Sequence, residues 1–334
     1  MVAKDKRDSV DLTGSQKDQI SFLMNEGKAI QPPGWLAEAC TVDYRAECAK
    51  AAGDAEYFWA EKARAVDWAE PFEDVLKFDP PTHQWFLGGK LNATINCIDR
   101  HVHSERRNKA ALIWVGEDGR EQTYTYNRLY REVNRFANAL RRMGVSAGDR
   151  VILYMPLVPE GIISMLACAR IGAIHSVVYA GMGVQALKAR IEDARAKVVI
   201  CSDYTYRRGK AIHLKPAVDE AIKDLVFVDH LVVHRRGSRP GDEPVEFESE
   251  REKDFYDVQQ AREIHCEPEI VDSEHPLFIL YTSGTTGRPK GVVHATGGYL
   301  VGTTYLARAF YQIGDRDIYW STSDIGWIVG HSFI

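Results

Sequence analysis

Residues 281–291, YTSGTTGRPKG, concentrate chemistry-bearing side chains. Three glycines, four serine or threonine hydroxyls and one lysine fall within eleven positions. Gly284 and Gly287 permit positive φ, and Gly291 lets the chain turn back. A loop of this kind points successive backbone N–H groups into one concavity. Ser283, Thr285 and Thr286 add short donors, and Lys290 adds a movable positive charge, a set that suits a polyphosphate. The usual P-loop places lysine directly after its last glycine and then enters a helix. Here Arg288 and Pro289 intervene, and Gly291-Val292-Val293-His294 reads as a returning strand. The spacing therefore predicts a loop joining two strands, with a ligand-free tight hairpin as the alternative.

Other clusters carry weaker signals. Gly181-x-Gly183-x-x-Ala186, with Asp203 twenty residues past Gly183, has the outline of a dinucleotide-binding fingerprint and opens the reading of a nicotinamide dehydrogenase. Arg207, Arg208 and Lys210 form a basic cluster around Gly209, which by itself reads as a solvated face. His230 and His234 sit four apart, and His101 and His103 two apart, without the carboxylates or cysteines that would make a metal site. Six scattered cysteines with no CxxC pair argue against a disulfide scaffold or a cysteine-held zinc.

These residues need a scaffold, and the pattern supplies one. The chain has 334 residues, 45% of them hydrophobic and 27% charged, with a net charge of −5. That describes a globule with a real core and no global basic field for nucleic acid or a membrane surface. The polar start has no signal-peptide core and no apolar run spans a membrane, so the expected location is cytoplasmic. Residues 1–18 read as a loose charged tail. Residues 21–77 read as helical, with Trp35, Trp59, Trp68 and Trp85 as packing anchors. ALIWVGEDGREQTYTY reads as a hairpin around Asp-Gly. NRLYREVNRFANALRRMG then reads as a helix stopping at Gly144. GDRVILYMP, AIHSVVYAG and KVVICSD alternate with two helical stretches, which implies βαβ units and a parallel sheet. The helix HLKPAVDEAIKD precedes the strand LVFVDHLVVH. Residues 235–254 read as a charged surface loop, and PLFILYTSG is a strand running into the opening motif.

YTSGTTGRPKGVVH resembles the phosphate-loop signature of the adenylate-forming, acyl-CoA synthetase-like superfamily. PFEDVLKFDPPTHQWFLGGKLNATINCIDRHV, HSVVYAGMGVQALKARIEDARAKVVICSD, GGYLVGTTYL and DIYWSTSDIGWIVGHS resemble its short-chain branch, the acetyl- and propionyl-CoA synthetases. The likeness runs in family order from about residue 20 to residue 334. It implies an AMP-forming acid–thiol ligase using ATP with Mg²⁺, CoA and acetate or propionate through an acyl-adenylate. It assigns Thr282, Ser283, Gly284, Thr285, Thr286, Gly287 and Lys290 to the ATP phosphates, and Trp327, Ile328 and Val329 to the acyl pocket. It assigns Arg207, Arg208, Gly209 and Lys210 to CoA, although Arg208 stands where the family has glycine. Val329 replaces a threonine that some relatives use against CoA. His331 reads equally as support for the pocket or as a packed histidine. No protein-held metal is implied.

The fold so implied is α/β: the first part of a large N-terminal domain with helices layered on mostly parallel sheets. The expected divisions are a helical cap over residues 19–105, one α/β subdomain over 106–254, and the start of a second over 255–334. Family members continue for several hundred residues, and their later adenine and ribose motif has no counterpart here. The chain thus reads as a fragment, inactive alone, that continues into or is fused to further catalytic domains. A non-catalytic nucleotide-binding module is the remaining alternative.

Overall fold

A computed structural model describes residues 31, 33–236, 245–260, 263–282 and 289–334. Contacts divide the chain into two compact units, residues 1–47 and 48–334. In the first, helix α1 (Gly34–Ala39) follows Pro33 without a side-chain cap. Trp35 on it is 71% exposed, so it anchors no packing. A helix of six residues has fewer than two turns and presents no apolar stripe to bury. Helix α2 (Tyr44–Gly53) buries nothing. Helix α3 (Ala55–Ala63) is capped by Asp54, whose carboxylate accepts the Tyr57 N–H at 2.9 Å.

The helical expectation for residues 21–77 stops short. Asp74–Asp79 (β1) and Thr82–Leu87 (β2) pair as an antiparallel hairpin closed at Pro80-Pro81. Two consecutive prolines offer no N–H to continue a helix, and the aromatics Trp85 and Phe86 suit a pleated surface. Residues 19–105 are therefore not helical throughout. β3 (Lys90–Leu91) pairs with β13 (Val271–Asp272). β4 (Ala110–Val115) and β5 (Glu121–Thr125) form the hairpin read from the sequence. Helix α4 (Tyr126–Arg142) follows, with the Thr125 hydroxyl accepting the Arg128 N–H at its start.

The centre of the second unit is a seven-stranded sheet. Its members are β6 (Arg150–Tyr154), β7 (Ile174–Val177), β8 (Val198–Ser202), β11 (His230–His234), β12 (Glu252–Asp254), β14 (Pro276–Thr282) and β15 (Lys290–Ala295), in the order β12-β11-β8-β6-β7-β14-β15. All neighbours are parallel except β14 and β15. The connecting helices are α5 (Pro159–Arg170), α6 (Val184–Ala194) and α7 (Lys215–Ile222).

Strand alternation feeds two cores. Val151, Leu153, Val198, Ile200 and Val232 pack with α4 and α5. Ile152, Tyr154, Val199, Cys201, Leu231 and Val233 pack with α6 and α7. A sheet covered on both faces explains the unbroken apolar runs in its strands. A third cluster joins Phe86, Leu91, Phe278 and Leu280 to Leu300 and Val301 of helix α8 (Thr296–Ala309).

Three further expectations need adjusting. Only His230–His234 of LVFVDHLVVH is strand. The charged stretch after it contains the edge strand β12, whose backbone pairs with β11; its residues 237–244 lie outside the described residues. The expected boundary near residue 255 does not break the sheet, because β14 joins β7 directly. No helix among the described residues is long and apolar enough to cross a membrane.

The strand order matters for function. From β6 the chain goes to β7 on one side and then to β8 on the other. The carboxyl ends of strands flanking such a switch point form the usual ligand crevice of an open α/β sheet.

Candidate functional site

The strands flanking the glycine-rich motif pair with each other. β14 and β15 run antiparallel to their ends, so Thr282 faces Lys290 across the ladder. The loop therefore joins two strands, as the spacing requires. Ser283, Gly284, Thr285, Thr286 and Gly287 lie outside the described residues. Thr282 and Lys290 are both exposed. The base of the hairpin is fixed from below. Tyr281 donates its hydroxyl to Asp193 of α6 at 2.7 Å, and Arg190 lies 5.5 Å from the Tyr281 ring. Burial, and then Asp193, push the Tyr281 phenol up. Gly291 lies opposite Tyr281, and a Cβ there would meet Ile279 at 3.0 Å and the Tyr281 ring at 3.2 Å. Glycine thus eases the close approach here, where a side chain would push Ile279 and the Tyr281 ring back by a few tenths of an ångström.

The basic cluster occupies a hairpin. β9 (Tyr204–Arg207) and β10 (Lys210–His213) are joined by Arg208 and Gly209, with φ of +53° and +75°. Two consecutive positive φ values make this a type I′ turn, which prefers Asn-Gly or Gly-Gly. Arg208 occupies the position at a steric cost of about 1 kcal/mol. Arg207, Arg208, Gly209 and Lys210 are all exposed. The Gly209 N–H donates to the Glu117 carboxylate.

The segment carrying Trp327, Ile328 and Val329 forms the start of a short helix, α9 (Ile328–His331). The three side chains are 64%, 42% and 51% exposed. They share one turn, stand exposed and are not core. His331 is the anchor. It is 5% exposed, its Nε2 lies 3.2 Å from Nε2 of His175 on β7, and its ring centroid is 4.0 Å from that of Phe278. Burial pushes His331 down to about 4 and His175 well below its usual value, so both rings are neutral at pH 7. His331 is therefore a packed histidine that seats the exposed turn on the sheet.

At the carboxyl ends of β6, β7 and β8 lies a crevice of about 370 Å³. Its walls include Trp114, Tyr179, Tyr206 and Ile212, with Arg207 and Arg236 as cations. Asp324 also lines it and accepts the Gly326 N–H at 2.7 Å. Burial raises the Asp324 carboxyl. The crevice thus connects the basic hairpin to the segment bearing the three expected pocket residues. Parallel register carries Thr282 beyond β7 on the same sheet edge, since Phe278 stands beside His175. Of the four residues expected at CoA, only Arg207 reaches this crevice. Trp114, Tyr179 and Arg236 went unmarked in the sequence; the switch-point rule would have pointed only to Tyr179 after β7, since Trp114 comes from the separate β4–β5 hairpin and Arg236 from the end of β11.

The dinucleotide outline dissolves in its local bonds. The Gly181 N–H donates to the Tyr154 hydroxyl at 3.0 Å. Asp203 is buried and accepts the N–H groups of Tyr204 at 2.8 Å and Arg236 at 3.2 Å. A carboxylate so committed is not presented to a ribose. His234 is also committed, with Nδ1 3.1 Å from the Ser202 hydroxyl.

The mostly parallel sheet and its switch-point crevice define an α/β protein of the open-sheet class, and the comparisons place it. Residues 98–334 match the AMP-binding enzyme family, and residues 44–97 match the acetyl-coenzyme A synthetase N-terminus. The chain belongs to the AMP-binding enzyme family. It is 46% identical over 317 residues to the acetyl-coenzyme A synthetase of Gemmatimonas aurantiaca, covering 94% of this chain and 48% of that protein. It is 50% identical over 282 residues to the 3-hydroxypropionyl-coenzyme A synthetase of Metallosphaera sedula, covering 83% and 42%. Among solved structures, acetoacetyl-CoA synthetase from Streptomyces lividans aligns with a TM-score of 0.76 at 27% identity, covering 84% of this chain and 42% of that one. The chain spans about half the length of the curated relatives it matches.

Proposed function

We propose that the protein acts in AMP-forming ligation of a short carboxylate, acetate or propionate, to CoA through an acyl-adenylate. The observation that carries this reading is the hairpin that sets Thr282 against Lys290 on the sheet edge where the crevice opens. The named relatives, all acyl-CoA synthetases, support it. In the first half-reaction the carboxylate attacks the α-phosphorus of ATP and pyrophosphate leaves. Such a step needs positioned charge and donors around crowded oxygens more than covalent participation. The Lys290 ammonium and the Thr282 hydroxyl, with the loop between them, bind the β- and γ-phosphates and the departing pyrophosphate. The Tyr281–Asp193 bond fixes where that loop starts.

In the second half-reaction the CoA thiol displaces AMP. Arg207, with Arg208 and Lys210 on the exposed turn, meets CoA phosphates at the crevice mouth. Trp327, Ile328 and Val329 bound the acyl group. All three stand exposed to an incoming carboxylate. Among the described residues no cluster of three or more His, Cys, Asp or Glu side chains would hold a metal. Mg²⁺ would enter on the ATP phosphates and neutralise their charge. The small-molecule substrates and the lack of a membrane-crossing helix among the described residues suit a cytoplasmic site of action.

The test is acid-dependent exchange of labelled pyrophosphate into ATP. In the full-length protein, Lys290→Ala should lower the exchange about 100-fold, the scale of losing one charge-stabilising donor, with CoA binding unchanged. Exchange at the wild-type rate would remove Lys290, and with it the phosphate assignment.

A further inference from the structure

Arg236 is the outlier among the buried cations. Its side chain is 8% exposed, yet it makes no hydrogen bond or ion pair with any described residue. The other arginines buried as deeply are engaged. Arg170 bonds Asp99 at 3.0 Å and the Cys266 carbonyl at 2.6 Å. Arg190 donates to the Ala186 carbonyl at 2.7 Å. The main chain of Arg236 is fixed, its N–H on Asp203 and its carbonyl accepting from Arg120 at 3.3 Å. Only the guanidinium is left over. It lies 6.0 Å and 5.3 Å from the ring centroids of Tyr204 and Tyr206, the outer limit of a cation–π contact. Arg120 beside it opposes its charge, while Asp118, paired with Arg120 at 2.8 Å, and Asp203 favour it without forming an ion pair with it.

The guanidinium also has a particular place. Arg236 lines the crevice at the strand ends and a smaller adjoining one of about 200 Å³. Trp114 is likewise common to both. No carboxylate among the described residues forms an ion pair with this cation, although Asp118 and Asp203 act on it through space; a guanidinium so placed on a crevice wall keeps its donors for an anionic ligand. Five donors in a rigid fork match a phosphate better than a point charge would. The aromatic walls at Trp114, Tyr179 and Tyr206 suit a planar ring attached to that phosphate.

We propose that Arg236 is a phosphate-binding position, taking a phosphate group of the CoA nucleotide that enters the crevice. This rests on the reading that the crevice admits CoA. It adds a deep anchor to the exposed turn at Arg207 to Lys210. Because the fork is held at the junction of the two crevices, it fixes how far the nucleotide can slide, which a solvated arginine on the turn does not.

The experiment titrates CoA, dephospho-CoA and pantetheine into the 334-residue chain and its Arg236→Gln and Arg236→Lys variants, followed by isothermal titration calorimetry. Arg236→Gln should weaken CoA at least about tenfold, with Arg236→Lys recovering part of the loss and pantetheine unaffected. A loss confined to CoA assigns the contact to the phosphate monoester; a loss shared by dephospho-CoA assigns it to the diphosphate. Without ligand, Arg236→Gln should melt close to wild type, because the guanidinium makes no hydrogen bond or ion pair with a described residue. Equal CoA affinity in wild type and Arg236→Gln, or a marked drop in melting temperature, would overturn the proposal. Absence of binding by the wild type to all three ligands would sink the crevice reading itself.

Discussion

Strands β6, β8 and β11 bury every residue except Arg150 and His230, whereas β15 leaves Lys290 to Val293 exposed. The contrast continues past the sheet. Helices α4 and α5 cover one face of the central strands, and α6 and α7 the other. Residues 318–329 show Ile318 and Trp320 each 81% exposed and Trp327 64% exposed. A flat sheet edge and clustered exposed aromatics are what soluble proteins reserve for surfaces that meet something else. One region stores the stability of the fold. The other presents the phosphate hairpin and the turn at Trp327, held to the first by the β14–β15 ladder, by Ile325 buried in the first core, by Tyr281 on Asp193, and by His331 on His175 and Phe278.

The comparison breaks most visibly under truncation. Phe136 is fully buried and stacks on Phe255 with ring centroids 4.4 Å apart. Phe136→Ala should cost about 3–5 kcal/mol in chemical denaturation, whereas Trp320→Ala should stay within about 0.5 kcal/mol. Comparable losses from both would erase the division between the regions.

Acid probes the seam between them. In the folded state His331 titrates near 4 against about 6.5 when unfolded, and His175 is depressed as well. Between those values the unfolded chain binds more protons, so stability is complete above about pH 6.5 and is lost as the pH falls toward 4. For His331 alone the full loss is about 3 kcal/mol. Replacing it in His331→Gln should flatten the fall in melting temperature between pH 7 and pH 4.5. An unchanged slope would mean that the histidine pair does not join the regions.

Much of the first region was legible and much of the second was not. βαβ alternation, the Asp-Gly hairpin and the stop at Gly144 follow from local periodicity and turn chemistry, which β6, β8 and α4 obey. β1 escaped because DVLK sits beside helical sequence and is turned into a hairpin only by Pro80-Pro81 and its pairing with β2. β12 escaped because a charged triplet becomes a strand only through backbone pairing with β11. The chemistry of the site divides the same way. A glycine-rich hairpin is local, so Thr282 and Lys290 stand out in the sequence. The crevice gathers Trp114, Tyr179 and Arg236 from three strand ends, and no spacing between them signals the meeting.

The smallest expected effect sharpens the comparison at the basic turn. Arg208 adopts a left-handed conformation that glycine adopts freely. Arg208→Gly should stabilise the protein by a few tenths to about 1 kcal/mol, the steric relief being partly offset by greater freedom of the unfolded chain. A loss of stability by thermal denaturation would mean that the side chain holds the turn together.

The central claim is that the hairpin between Thr282 and Lys290 grips the phosphate tail of ATP. A crystal structure of the protein soaked with MgATP tests it most directly. The account predicts the β- and γ-phosphates seated within that hairpin, with the Lys290 ammonium in contact. Phosphates bound elsewhere, with the hairpin closed on its own amides, would contradict it.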